Sequence, residues 1–363
     1  MSRLSAAAST PPPNSGRSRR RAWPSRSFLR FVARRLSGLV LLGFGITLVA
    51  FLLTQLVPAN PAASALGLDA TPAEIHAYDR HYGLEDPLPV QYWHYLDNVL
   101  HGDLGVSQVT HNPVLHDLET YFPATAELAL LSIIIAMLVG VGFGVLAALY
   151  RDRPLDYVLR VVSLSGVSIP VFWLGLVSLY VLFFQLSIFP GGGRLNVGAL
   201  PPADVTGLFT VDALIAGQWG TLWDALRHLI LPACVLAAFN VGVLTRYTRS
   251  AVLEVIEQDY VRAARARGLP ERIVIPRYVL RAALPSLVTV IGLMFANVLT
   301  GAVLVENIFS WPGLGEYGYQ AAISLDLPAI TGVSLFVAVI YISINFAVDV
   351  LYGVIDPRIR LTE

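Results

Sequence analysis

Six apolar stretches, each about 20 residues long, alternate with polar segments along this chain of 363 residues. A helix of that length crosses the hydrocarbon core of a bilayer, and a helix bonds its own backbone polar groups, as lipid requires. The pattern therefore predicts an all-α integral membrane protein with six transmembrane helices. The stretches lie approximately at Leu36–Val57, Thr125–Leu149, Val161–Phe184, Leu222–Thr245, Leu284–Val305 and Ile330–Tyr352.

The basic residues are distributed unevenly between the polar segments. The chain has no lysine, and all 25 basic residues are arginine. Of these, 22 lie before the first stretch, in the second and fourth connections, or after the last stretch, whereas the alternate connections hold only Arg80, Arg194 and Arg227. Because cytoplasmic loops carry the excess of positive charge, we predict that both termini are cytoplasmic.

The connections divide the chain into five predicted segments. Residues 1–35 form a basic arm that we expect to be disordered, because its Ser, Pro, Ala and Arg residues bury little apolar area. Residues 36–57 form the first transmembrane helix; a cleaved signal peptide is the alternative, although the stretch is about twice the usual length. Residues 58–123 form an external loop subdomain with short helices at Thr71–Tyr82 and Tyr92–Leu100. Residues 124–353 form a five-helix core with a loop at 250–283, and 354–363 a cytoplasmic tail.

The polar segment Asp259–Pro285 has a pattern that a simple linker would not need. Apolar residues recur at helical spacing over 252–264, and Gly268 ends that helix because glycine adopts positive φ freely. Pro270 opens a second helix at its first position, and Pro276 limits it. We interpret the segment as helix, turn and helix at the membrane surface, with small residues that let a partner approach closely. The alternative, that its arginines only set topology and bind lipid headgroups, leaves the break at Gly268 unexplained. The small residues are Ala263, Ala264, Ala266 and Gly268.

The absence of lysine also excludes several chemistries. A P-loop needs lysine to reach the nucleotide phosphates, and a Schiff base needs its amine, so ATP-driven work must come from another chain. No His or Cys cluster has the spacing of metal ligands, and few stacking aromatics interleave the arginines, so neither a metal site nor nucleic-acid binding is expected. The lone Cys234 is expected to pack as a small apolar residue in the fourth helix.

An ordered set of motifs resembles a known family. Ala263-Ala264 followed by Gly268 resembles the EAA loop of binding-protein-dependent ABC importers, with Arg262 where many members have Glu. No single motif is specific, but the set, from about Leu36 to Arg360, resembles the first permease subunit of dipeptide, oligopeptide and nickel importers. The other motifs are Leu84-Glu-Asp-Pro-Leu88 with Gln91-Tyr92, Gly102-Asp-Leu-Gly-Val-Ser107, Ser168-Ile-Pro-Val-Phe-Trp173, Glu306-Asn-Ile-Phe309, Pro312-Gly-Leu-Gly315, and Asp349-Val-Leu-Tyr352 with Asp356-Pro-Arg358.

The resemblance implies a type I ABC importer permease fold in a bacterial plasma (inner) membrane, and a pore that is not itself an enzyme. A second homologous permease would complete the pore, two cytoplasmic ATPase subunits would use ATP and Mg, and an extracytoplasmic solute-binding protein would deliver cargo. The chain would bind no cofactor. Dipeptides or oligopeptides are the implied cargo, with nickel, glutathione and haem as alternatives within the family. The coupling to the ATPase would rest on Arg262, Ala263, Ala264, Gly268 and Leu269.

Candidate pore or gate residues lie near the outer end of the fifth stretch. Glu306 is an ionisable residue beside a span, a position that is costly and often functional, although a carboxylate in interfacial water fits equally well. The segment Pro312-Gly-Leu-Gly315 fits either a gate loop or a plain surface turn. Asn297 lies inside a span, where a hydrogen bond between helices is favoured over cargo contact. The candidate set is Glu306, Asn297, Pro312, Gly313 and Gly315.

Two other function classes fit the sequence less well. An ion-coupled secondary transporter usually has interrupted spans in symmetric halves and acidic relays within the membrane, whereas this chain has few buried acids and one large docking loop. An intramembrane hydrolase would use a serine of the third stretch, but every histidine lies in a loop or at the border of a span.

Overall fold

The computed structural model describes residues 26–56, 71–73, 76, 80 and 86–355. These residues are mostly helical and contain no β-strand; one isolated bridge joins Val106 and Pro113. We number the principal helices in chain order. They are α1 (Arg26–Leu56), α2 (Leu88–Leu100), α3 (Val114–Leu149), α4 (Pro154–Ser168), α5 (Val171–Ser178), α6 (Phe209–Ile215), α7 (Trp219–Ile256), α8 (Asp259–Ala266), α9 (Glu271–Val274), α10 (Arg281–Ile308), α11 (Leu314–Ile323) and α12 (Leu327–Ile355).

Three of the described helices are long and apolar enough to cross a membrane: α3, α7 and the Leu327–Val348 part of α12. The bent pair α4 and α5 would make a fourth span, and α1 contains a shorter apolar helix over Ser37–Leu53. The total of six helices and the cytoplasmic location of the termini therefore stay predictions. The tail, most of the basic arm and most of the predicted Thr71–Tyr82 helix lie outside the described residues.

The prediction of one helix over Val161–Phe184 is wrong. The chain forms α4 and then α5, continued by a π-helical turn over Leu179–Gln185, and the two parts are bent by 103°. The reason lies at Pro170, which has no backbone N–H for the preceding turn and disfavours helical geometry at the residue before it. Ile169 accordingly has an extended conformation, with φ −84° and ψ 124°.

The core forms where α3, α7 and α10 pack together. α3 and α7 make the most extensive helix contact of the described chain, and small residues let their backbones approach closely. At Gly140, for example, a Cβ atom would lie 2.9 Å from the Cβ atom of Leu244. α7 extends beyond the predicted Leu222–Thr245 at both ends. Its final turns continue into a second buried cluster beside α8.

Two smaller expectations have different outcomes. The helix predicted at Tyr92–Leu100 is confirmed as α2, which packs on α1 through Tyr92: its hydroxyl lies 2.9 Å from the Thr47 hydroxyl. Cys234 was expected to pack as a small apolar residue in the fourth helix. It lies instead on the exposed side of α7.

Candidate functional sites at Gly268 and Glu306

The predicted coupling segment contains two helices before the glycine, not one. α7 ends at Ile256, Gln258 is extended with ψ 145°, and α8 runs from Asp259 to Ala266. The break turns α8 so that its apolar residues reach a buried cluster, a tertiary gain that the helical spacing over 252–264 could not reveal. The cluster contains Ala148, Val252, Val261, Ala264, Val274 and Val279.

Gly268 ends α8, as the sequence predicts. Its φ is +76°, in the left-handed region that favours glycine, and its N–H donates to the Arg265 carbonyl oxygen at 2.9 Å. A Cβ atom at Gly268 would meet nothing within 4 Å, so backbone conformation rather than space demands glycine here. Pro270 caps α9, which begins at Glu271, close to the predicted start.

Pro276 does not limit the second helix, contrary to the prediction. It lies in a π-helical turn, Ile275–Leu280, through which α9 passes into α10. A π turn bonds each residue to a carbonyl five positions back, and such turns commonly accommodate an irregularity within a helix. The predicted coupling segment is therefore continuous with α10 through Pro276.

The predicted face of small residues is divided between two sides of α8. Ala264 is only 4% exposed and anchors α8 in the buried cluster, whereas Ala263 and Arg262 are exposed and Leu269 is half-buried. Consecutive positions on a helix point about 100° apart, so Ala263 and Ala264 cannot contact one flat partner together. The small residues Ala263, Ala266 and Gly268 are exposed to a partner, together with Arg262 and other polar neighbours.

Ion pairs that the sequence did not reveal connect the elements of this region. Arg265 and Glu271 pair across the Gly268 turn, with the Arg265 Nε atom 2.8 Å from Glu271 Oε1. Deeper in the fold, the fully buried Asp156 of α4 accepts hydrogen bonds from Nε and Nη2 of Arg249, both at 2.9 Å, and Arg160 approaches it at 3.2 Å. The Asp156–Arg249 pair fastens α4 to the last turns of α7.

A second candidate site is a buried hydrogen-bond network around Glu306, which we call the knot. Glu306 is 0% exposed and accepts hydrogen bonds from the Thr125 hydroxyl at 2.6 Å, from the Gly315 N–H at 2.7 Å and from the Glu316 N–H at 3.1 Å. The Thr125 hydroxyl oxygen accepts in turn from the Leu314 N–H at 2.8 Å. The alternative of a carboxylate in interfacial water is therefore wrong. The carboxylate joins α3, α10 and the start of α11.

The Pro312-Gly-Leu-Gly315 segment is not a plain surface turn. Pro312 is exposed, but Gly313 and Gly315 are buried, and the Trp311 ring N–H donates to the Ala124 carbonyl oxygen at 2.9 Å. A Cβ atom at Gly313 would lie 2.5 Å from the Glu306 carboxyl carbon, and one at Gly315 would lie 2.8 Å from Glu306 Oε2. These glycines let the backbone approach the carboxylate. Whether the segment moves as a gate stays a prediction.

Asn297 lies in α10, but its side chain is outside the described part of the structure. Asn240, by contrast, is buried in α7. The described residues contain no group of three or more His, Cys, Asp or Glu placed to hold a metal ion.

A second buried carboxylate near the knot, that of Glu127, binds Arg194 and so holds the connection between α5 and α6 in place. Arg194 donates from Nη2 to Glu127 Oε2 at 2.7 Å and to the Gly207 carbonyl oxygen at 2.8 Å, and its guanidinium carbon lies 3.5 Å from the Phe209 ring centroid. Burial lowers the pKa of Arg194, and the Glu127 carboxylate partly offsets that shift. In the sequence, Arg194 stands out only as one charge in an outer connection. A basic residue after three glycines was the available signal that the loop closes onto the helices.

The fold defines a multi-pass helical membrane protein. Residues 140–361 match the family described as binding-protein-dependent transport system inner membrane component, and residues 28–129 match its N-terminal region. The chain belongs to this family. It is a permease subunit of an ABC importer in a bacterial inner membrane, and a secondary transporter is not favoured.

The relatives are similar over almost their whole length. The probable D,D-dipeptide transport system permease protein DdpB of Escherichia coli (strain K12) is 41% identical over 92% of this chain and 98% of its own length. The di/tripeptide transport system permease protein DppB of Pseudomonas aeruginosa (strain UCBPP-PA14) is 42% identical over 92% and 99%. The oligopeptide transport system permease protein AppB of Bacillus subtilis (strain 168) is 36% identical over 91% and 99%. A solved chain of the MetNI methionine ABC transporter, in an inward facing conformation, has 18% identity and a TM-score of 0.49, over 64% of this chain and 93% of that chain.

Proposed function

We propose that this chain forms half of the pore of an ABC importer for dipeptides or oligopeptides. Relatives whose names specify dipeptide, di/tripeptide and oligopeptide transport align with it from end to end, which supports this class of cargo. In the proposed assembly it has a type I permease fold of six transmembrane helices, with both termini in the cytoplasm. Its partners are a second homologous permease, two ATPase subunits that use ATP and Mg, and an extracytoplasmic solute-binding protein.

The observation that carries the proposal is the rigid mounting of α8. One side of α8 exposes Arg262 and Ala263, while the other side is anchored by Val261 and Ala264. The anchor cluster includes residues of α3, α7 and the turn before α10, so a displacement of α8 is transmitted to three long helices at once. A packed cluster of this kind moves as a unit because protein interiors are dense and deform little.

This mounting is suited to receive work that the chain cannot generate. Without lysine the chain cannot form a P-loop, so nucleotide must act through the partner that contacts α8. Closure of the ATPase dimer would favour one arrangement of the two permeases over the other, which alternates access to the pore. We assign Arg262, Ala263, Gly268 and Leu269 to contact with the ATPase, and Ala264 to anchoring the contact helix.

The test is uptake of a radiolabelled dipeptide by the complete complex in proteoliposomes with its solute-binding protein. We expect uptake that requires ATP, that stops when the nucleotide site of the partner ATPase is disabled, and that continues when the proton gradient is dissipated. Uptake driven by the gradient without ATP would refute the proposal. Parallel assays with a longer peptide, nickel, glutathione and haem identify the cargo; uptake of one of these in place of peptides would overturn the cargo assignment alone.

A further inference from the structure

The break between α4 and α5 is open to the surroundings in this chain. Ser168 and Pro170 are exposed, and Ile169 is only half-buried. Because Pro170 has no N–H, the Gly166 carbonyl lacks the donor that a continuous helix would supply four residues later. The break lies in the middle of an apolar stretch, since α4 contains 15 residues and Val171–Gln185 follows it.

Lipid is an unsuitable neighbour for such a break. Irregular backbone at membrane depth is tolerated only where protein buries it or where it lines a water-filled cavity, because lipid cannot bond the free polar groups. Interrupted helices in transporters commonly mark the binding site for the same reason. The exposed side of this break therefore faces either the second permease or the path of the cargo.

An aromatic face continues from the break along α5 and its π turn. Phe172 is 50% exposed, Tyr180 56% and Phe184 72%, and the last two rings stack with centroids 5.9 Å apart. Tyr180 and Phe184 are four positions apart and share one side of the helix, and Phe172 lies about two turns before Tyr180. The other side is packed: Val171, Leu174, Leu179 and Leu182 contact a buried cluster of the core.

The composition of this aromatic face favours a cavity over close contact with another helix. Helices in membranes pack through small residues that let their backbones approach, as α3 and α7 do at Gly140. The aromatic face presents large rings instead, beside polar backbone groups at the break. Ligand sites are lined in the same way, mainly by apolar and aromatic side chains with a few polar groups that orient the ligand.

We propose that the aromatic face formed by Phe172, Tyr180 and Phe184 lines the translocation path and contacts the side chains of the transported peptide, with Phe172 next to the α4–α5 break. The nature of the cargo in this inference rests on the proposed function. The existence of a water-filled path at this face does not, because that part follows from the exposed break. The two parts can therefore be tested separately.

The path is tested by thiol labelling of the complete complex. Cys234 is the only cysteine, so Cys234→Ser gives a background into which Tyr180→Cys or Phe184→Cys is introduced. Leu138→Cys is the matched control, because Leu138 is 71% exposed but lies within the regular helix α3. We expect a membrane-impermeant maleimide, applied to spheroplasts and to inverted vesicles, to label positions 180 and 184 from at least one side and much faster than position 138. Labelling no faster than at position 138 from both sides would overturn the path assignment.

The contact with cargo is tested by protection and by kinetics. Saturating dialanine, with the solute-binding protein present, is expected to slow labelling at positions 180 and 184. Tyr180→Ala and Phe184→Ala are expected to raise the KM of dialanine uptake about threefold to tenfold, the value of a lost aromatic contact, while Tyr180→Phe retains the parental KM. Leu138→Ala is expected to leave uptake unchanged.

The outcomes separate this inference from the proposed function. If the parent imports no peptide, the proposed cargo fails, and labelling without cargo still decides whether the aromatic face lines a path. If the parent imports dialanine but neither protection nor a change in KM is seen at either position, the contact with peptide is refuted. Equal losses for Tyr180→Phe and Tyr180→Ala would also refute it, because the ring itself would then not matter.

Discussion

Replacing Glu306 tests whether the buried knot holds α10, α11 and α3 together. Glu306→Ala leaves two backbone donors, the N–H groups of Gly315 and Glu316, without their acceptor. Each orphaned buried donor costs about 1–3 kcal/mol. Removal of a buried charge offsets part of that cost, so we expect a net loss of about 2–4 kcal/mol in the free energy of unfolding.

Glu306→Gln provides the matched perturbation, because it preserves the volume of the side chain. The amide oxygen can still accept from the backbone N–H groups, and its nitrogen can donate to the Thr125 hydroxyl, which rotates to accept. We expect a loss of about 1 kcal/mol, since neutral hydrogen bonds replace charge-assisted ones. Glu119→Ala, at an exposed position of α3, should change stability by no more than about 0.5 kcal/mol.

The assay is SDS titration of the purified complex in mild detergent, followed by its helix content, with dipeptide uptake measured in parallel. The expected order of stability is parent and Glu119→Ala, then Glu306→Gln, then Glu306→Ala. Two results would contradict this explanation: Glu306→Ala unfolding at the same SDS concentration as the parent, or Glu306→Gln losing as much stability as Glu306→Ala. The three hydrogen bonds could then not be the stabilising feature.

Three further substitutions have expected outcomes. Gly313→Ala should destabilise by about 1–3 kcal/mol through overlap at the knot, while Gly142→Ala, where a Cβ atom meets nothing within 4 Å, should not; equal effects in the same titration would contradict the close-approach argument. Asp156→Asn should cost about 2–4 kcal/mol by leaving Arg249 without its charged partner, and proteolysis near α4 should rise; unchanged cleavage would count against that pair. Gly268→Ala should cost about 1 kcal/mol at φ +76° and reduce cargo-stimulated ATPase activity, and full coupling would argue against α8 as the contact helix.

Local pattern was sufficient where neighbouring residues decide the conformation. Gly268 ends a helix because its own φ is positive, and the sequence located that end correctly. The same holds for α2 and for the apolar length of α3 and α7. Proline was harder to interpret: Pro170 breaks the third stretch, whereas Pro276 is accommodated within a π-helical turn.

The candidate residues show the same limit. Glu306 was identified as an ionisable residue beside a span, but its partner Thr125 lies 181 positions earlier in the chain, so its burial could not be read from nearby residues. Ala263 and Ala264 are adjacent in the sequence, yet Ala263 is exposed and Ala264 is buried, because the break at Gln258 turns α8 onto its anchor cluster.

The sequence by itself determined that this chain is helical and enters a membrane, that it has no lysine for a P-loop, and which family it resembles. Those properties depend on composition, apolar length and short motifs, all of which are local. The tertiary structure alone decided that the third stretch bends by 103°, that Glu306 is a buried acceptor rather than a solvated charge, and that Ala264 is an anchor. Each of these depends on burial against residues distant in the chain, and burial decides whether a polar group, a break or a small residue is stable where it lies.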